Sequence, residues 1–238
     1  MKKTAALLTI TGLVAGLQVA SASDISGTIA LKGTPPPEKE ITQVKEDPNC
    51  GKLHTEPVKT RFYVVGPKGE LADVFVTLKG ISGQSKGAEA PPAVLDQKGC
   101  EYIPYIFALQ TGQKLLVKNS DPVLHNIHPT PAAAGNKEEN KAQMPGGPEL
   151  TFTFPTAETF LRFKCDVHPW MFSYACVTDN PYGAVTDKDG KYTLKDVKDG
   201  KYTMEVYHRK AAPATAPVTK EIEVKGGNLT EDFTLEAK

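Results

Sequence analysis

Cys165, His168 and Met171 fall within one short run, Cys165-Asp166-Val167-His168-Pro169-Trp170-Met171. A thiolate, an imidazole and a thioether so close together form a metal-binding set, and soft sulfur combined with borderline nitrogen selects copper. A mononuclear copper site built for passing electrons takes two His, one Cys and a weak, distant Met. The second imidazole is available at His125, in Asn119-Ser120-Asp121-Pro122-Val123-Leu124-His125-Asn126-Ile127-His128. Taken singly, a Cys, His or Met in a β protein is most often an ordinary core or surface residue; it is the ordered set that argues for a metal. Zinc is the competing ion, but structural zinc sites are closed tetrahedra of Cys and His and rarely enlist a thioether.

The elements that must position these residues read as strands. Leu115 to Val117 is an apolar run leading into the His125 segment, and the alternating Phe152-Thr153-Phe154 and Phe160-Leu161-Arg162-Phe163-Lys164 precede Cys165. Alternating or β-branched runs bounded by Gly, Pro, Asn and Asp recur throughout, and no segment holds a 3.6-residue apolar period. The expected fold class is therefore all-β. Ile25 to Leu31, Arg61 to Val65 and Val74 to Leu78 read as further strands, and Tyr102 to Val117 as a strand pair interrupted by Gly112. Thr34 to Pro48, rich in Pro and charge, reads as a linker or extended arm, Gln84 to Pro92 as a surface loop, and Pro129 to Pro148 as a long, irregular insertion.

The two ligand-bearing motifs together resemble the cupredoxin family of blue, type 1 copper proteins. In that family a strand-end His followed by Asn meets a C-terminal Cys-His-Met loop, and the short spacing here is similar to the amicyanin and plastocyanin branch. The resemblance spans roughly Phe62 to Val177. It implies a Greek-key β-sandwich holding one type 1 copper on His125, Cys165, His168 and axial Met171, with Asn126 tying the two loops together by hydrogen bonds. It also implies that His168 is the outer ligand, exposed among Pro122, Pro169 and Trp170, in a patch suited to brief docking with a redox protein. One departure stands out: amicyanin-like loops carry Pro before the second His, whereas Val167 keeps an N–H that can reach the Cys165 sulfur and tune the site.

Downstream, Asp187-Lys188-Asp189-Gly190-Lys191-Tyr192-Thr193-Leu194 and Asp199-Gly200-Lys201-Tyr202-Thr203-Met204-Glu205-Val206 form a near-repeat, each a turn feeding an alternating strand. This part resembles a carboxypeptidase regulatory-like, transthyretin-type β-sandwich, smaller than the first, with Ile222 to Val224 and Phe233 to Leu235 as its last strands. Asp187 to Gly190 lacks the later Glu of a calcium loop and reads as a turn. The expected division is a leader over 1–22, an N-terminal strand and linker over 23–60, a copper domain over 61–180 and the second sandwich over 181–238. The last is short for its type, so Ile25 to Leu31, and Val74 to Leu78 if they belong with it, would complete it and make the copper module an insertion.

Lys2 and Lys3, an apolar stretch from Ala5 to Ala20 and then Ala20-Ser21-Ala22 fit a cleavable signal peptide and export to a periplasm. No later run is long and apolar enough to span a bilayer. The whole chain carries 28 basic and 28 acidic residues, and loss of the leader leaves a formal charge of −2, a balance that does not invite nucleic acid. Of the four Cys, Cys50 and Cys100 sit in loop-like surroundings and are the preferred disulfide, whereas Cys176, in Tyr174-Ala175-Cys176-Val177, reads as a buried free thiol.

The ligand set offers no open position for substrate, and the His residues that couple such a site to further coppers are absent beside Cys165, where Lys164 and Asp166 stand. Cys50-Gly51-Lys52-Leu53-His54 lacks the second Cys of a c-type haem motif. The expected role is single-electron transfer between redox partners, not catalysis. The alternatives are a carrier or buffer that binds Cu(I) without redox turnover, with His128 as an extra donor, or a structural scaffold. His128 is expected to be non-ligating because strand residues three apart face opposite ways, and His54 and His208 to be ordinary surface or satisfied histidines.

Overall fold

The computed structural model describes residues 22–213 and 216–238. The leader expected over 1–22 lies outside them apart from Ala22, which already pairs with Lys198 in the first strand. The strands in chain order are β1 Ala22–Lys32, β2 Phe75–Lys79, β3 Ala93–Gln97, β4 Tyr102–Ile103, β5 Ile106–Gln110, β6 Leu115–Asn119, β7 His125–Thr130, β8 Lys141–Gln143 and β9 Leu150–Phe152. They continue with β10 Glu158–Lys164, β11 Phe172–Thr178, β12 Gly183–Val185, β13 Lys191–Lys198, β14 Gly200–Tyr207, β15 Val218–Val224, β16 Leu229–Thr230 and β17 Phe233–Glu236. A helical turn, α1 Thr42–Glu46, and a 3-10 turn at Cys50–Leu53 interrupt an all-β chain.

Four sheets make two sandwiches. Sheet β5-β11-β10-β7-β8 faces sheet β4-β3-β6-β9, and Phe107, Ile127, Leu161 and Phe163 of the first meet Leu95, Leu115, Val117 and Phe152 of the second in one core. The other core joins Ile25, Ile29, Leu194 and Phe233, from the sheet around β1, to Val76, Leu78, Met204 and Ile222 of sheet β12-β2-β14-β15. Such cores form because each strand turns alternate residues inward. In β10 that alternation carries Leu161 and Phe163 into the core, and the next inward position is Cys165. In β7 the same alternation buries His125 and Ile127 and leaves His128 partly exposed.

Phe75–Lys79 hydrogen-bonds between β12 and β14, so this strand lies in the sheet of the C-terminal segment although the expected copper segment, 61–180, includes it. Strand β1 pairs antiparallel with β13 and parallel with β17, so it lies in one sheet with strands of the C-terminal segment. A small seam of Phe75, Tyr105, Ile106, Tyr174 and Cys176 joins the two sandwiches. Arg209 lies over the Tyr174 ring, 3.4 Å from its centroid, and donates to the Tyr105 hydroxyl at 2.9 Å.

Several local expectations need correction. Arg61 to Val65 is not a strand; it makes a single bridge, Val65 to Leu71, because the Glu38 carboxylate already takes the N–H groups of Phe62 and Tyr63. β5 and β6 flank the Gly112 turn but do not pair with each other, joining β11 and β3 in opposite sheets. Pro129 to Pro148 is not irregular throughout: β8 pairs with β7, and Asn136 donates to Thr156 O and Glu158. Thr34 to Pro48 is not a free arm, since α1 sets the buried Val44 into the core that holds Cys165 and Met171.

Candidate metal centre

The chain brings all four candidate donors to one end of the first sandwich. His125 opens β7, Cys165 directly follows β10, and the turn to β11 carries His168 and Met171. Met171 N–H donates to His168 O at 2.9 Å and Cys165 N–H to Met171 O at 3.1 Å, which closes the loop on itself. His125 is fully buried and Cys165, Met171 and His168 are 2%, 1% and 6% exposed. The Nδ1 atoms of His125 and His168 lie 2.9 Å apart, and Cys165 Sγ lies 3.7 Å from His168 Nδ1. The three nitrogen and sulfur donors all fall within 4.8 Å of one another, and Met171 packs in the same buried cluster as Cys165.

Asn126 holds the loops together. Its Oδ1 accepts from the N–H groups of Asp166 at 2.7 Å and Val167 at 3.3 Å, and Cys165 Sγ stands 3.2 Å away. The Tyr102 hydroxyl reaches the carbonyls of Asn126 and Lys164, bridging the two strands that carry His125 and Cys165. Burial pushes the Cys165 thiol up, but the His125 imidazole and the N–H groups of Asn126, His168 and Val167 outweigh it and hold the pKa below its ordinary value. Val167 N–H donates to Asn126 Oδ1, next to the sulfur. A thiol so biased toward thiolate is ready to ligate.

Asp121, which the sequence did not single out, is hydrogen-bonded to His125 in this cluster. Its Oδ2 takes the His125 Nε2–H at 2.9 Å, and its two oxygens take the N–H groups of Gly99 at 2.6 Å and Cys100 at 2.7 Å. Burial raises the Asp121 pKa, yet the His125 bond and these amides outweigh it, so the carboxylate stays ionised. An ionised acceptor on Nε2 fixes that nitrogen as the protonated one and leaves the Nδ1 lone pair of His125 free. The only advance signal was a carboxylate four residues before a candidate His, too common a spacing to read.

His168 departs from expectation. It is buried, not exposed, because Cys50 and Cys100, joined as a disulfide and both fully buried, lie against it. Both sulfurs stand within 4.8 Å of each other and of a His168 ring nitrogen. Burial and the neighbouring His125 lower the His168 pKa, while Asp47 and Asp121 oppose the shift. Trp170 is partly buried and donates from Nε1 to Cys100 O at 3.1 Å. His128 turns away to the carboxylates of Asp166 and Glu138, each at 2.7 Å. His54 bonds Gly99 O at 2.6 Å, His208 is satisfied in the second sandwich by backbone N–H groups, and Cys176 is a buried free thiol.

The fold belongs to the class of all-β sandwiches, and solved copper proteins resemble one part of it. Amicyanin, in the Cu(I) state of a single-site mutant, matches at 20% identity over 43% of this chain and 97% of its own, with a TM-score of 0.33. The purple cupredoxin from Nitrosopumilus maritimus matches at 20% identity over 36% of this chain and 99% of its own, with a TM-score of 0.30. The Cu-containing nitrite reductase NirK from Thermus scotoductus SA-01 matches at 17% identity over 41% of this chain with a TM-score of 0.33, and the chain spans 24% of its length. No family model matches the chain, and no curated protein does.

Proposed function

We propose that this chain is an exported single-electron carrier that holds one type 1 copper on His125 Nδ1, His168 Nδ1, Cys165 Sγ and, axially, the Met171 thioether. The observation that carries the reading is the facing pair of Nδ1 atoms beside the buried Cys165 thiol, with the second nitrogen of His125 tied to Asp121. Two imidazoles, a thiolate and a thioether in a buried pocket are a copper set, not a zinc or calcium set. When bound, copper supplies a one-electron couple; the protein's part is to hold the donors still and keep water away. The donors come from β7, β10 and the closed Cys165–Met171 loop, so little need rearrange when an electron passes.

The copper-bearing sandwich, built from strands β3 to β11, is in this reading an insertion between β2 and β12 of the second sandwich. The leader, outside the described residues, would deliver the chain to a periplasm, where the Cys50–Cys100 disulfide is at home. Its partners would be redox proteins met in brief encounters. Addition of Cu(II) to the purified protein tests the proposal: an intense blue thiolate-to-copper band that ascorbate bleaches and that Cys165→Ser abolishes is the expected result. A colourless protein, or one that binds only Cu(I), overturns it.

A further inference from the structure

We propose that residues 38–60 form a cover, latched by the Cys50–Cys100 disulfide, that closes the His168 side of the metal site and moves electron entry and exit to the exposed Asp166–Val167 edge of the ligand loop. The inference rests on the copper reading above.

The cover is a built element. Its ends are clamped by the Glu40–Lys59 bridge and by bonds from Ile41 N–H to Val58 O and from Thr60 N–H to Lys39 O, each at 2.8 Å. Asp47 takes the N–H groups of Asn49 and Cys50, both at 2.8 Å, and so shapes the turn that delivers Cys50. Val44 and Cys50 enter the core that contains Cys165 and Met171, with Ile41 and Val58 packed behind them. The latch residue Cys100 receives the Asp121 carboxylate on its N–H and the Trp170 indole on its carbonyl. One covalent bond therefore ties the cover to the carboxylate that orients His125 and to the loop that carries His168.

With the cover in place all four donors are buried, whereas Val167, between Cys165 and His168, is 50% exposed. Its N–H meets Asn126 Oδ1, which in turn contacts Cys165 Sγ, so a short hydrogen-bonded and covalent path leads from the sulfur to this surface. The step is one electron out of the reduced site and one into the oxidant; no bond forms or breaks and no proton moves.

Two surface charges separate the routes. In the reduced copper protein, Val167→Glu is expected to slow oxidation by the anion hexacyanoferrate(III) about tenfold, through like-charge repulsion at the port. Leu53→Glu, on the cover and 37% exposed in the parent, should leave that rate within about twofold. Equal effects, or a larger one at Leu53, overturn the port. The cover has a copper-free readout: iodoacetamide should alkylate Cys165 slowly in the full-length apo protein and at least about tenfold faster in Cys50→Ser/Cys100→Ser, since a buried thiol is inert until exposed. Unchanged alkylation overturns the cover. If the double variant does not fold, the Val167 and Leu53 pair decides alone. Failure of the copper reading shows separately, as the absence of the blue band in the parent protein.

Discussion

At the level of single residues, the site is an arrangement of hydrogen bonds that leaves chosen lone pairs free. Asp121 engages the Nε2 proton of His125 and thereby aims Nδ1, and Asn126 gathers two backbone N–H groups next to the Cys165 sulfur. Residues that orient a ligand in this way typically change metal affinity about 10- to 100-fold. Asp121→Asn is therefore expected to weaken Cu(II) binding by about that factor while leaving a blue band, measured by competition with a chelator. Asn126→Ala should also weaken binding, and it should broaden the blue band because the Cys165 and His125 loops lose their shared acceptor. Cys165, His168 and Met171 stood out because their types are unusual together and fall within seven residues, whereas His125, 40 residues upstream, was joined to them by the resemblance. Asp121 did not stand out, because its role exists only after folding brings Gly99, Cys100 and His125 to one carboxylate.

Elements place these residues by the simple alternation of strands. Leu161, Phe163 and Cys165 follow one another on the inner face of β10 and its extension, so the packing of Phe163 fixes the height of the sulfur. Phe163→Ala should destabilise the fold by about 3–5 kcal/mol in urea denaturation, with loss of the blue colour in whatever fraction remains folded. In the second sandwich, the chain beyond β14 buries His208, whose Nδ1 accepts the N–H groups of Lys210 at 3.2 Å and Ala211 at 2.8 Å. Burial, with the nearby Arg209 charge, brings its pKa down to about 4. Because the folded pKa lies below the unfolded value near 6.5, this histidine's contribution is complete above pH 6.5 and is lost as the pH falls through the window toward 4. Stability should fall by about 2 kcal/mol between pH 7 and pH 5 on this account, and His208→Gln should flatten that part of the profile. Strand positions were readable from period-two patterns; the pairing of β2 with β12 and β14 was not, because an alternating strand fits either sandwich equally well.

For the molecule as a whole, the consequential feature is the crossing of distant segments at the end that holds His125, Cys165 and His168. Cys50 and Cys100 are separated by 50 residues, and a cross-link of that span commonly contributes about 2–5 kcal/mol. Cys50→Ser/Cys100→Ser should lose about that much by denaturant titration and gain access to His168. The all-β class and the strand patterns were written in residue type and local spacing, and the loop-like surroundings of Cys50 and Cys100 pointed to their pairing, so these could be read from the chain unaided. Folding was needed to bring residues 38–60 over the site, to bury His168, to make an edge strand from part of Pro129 to Pro148 and to set Asp121 against His125. Those outcomes depend on which remote surfaces meet, and hydrophobic burial, being non-directional, leaves no local signature of its partner.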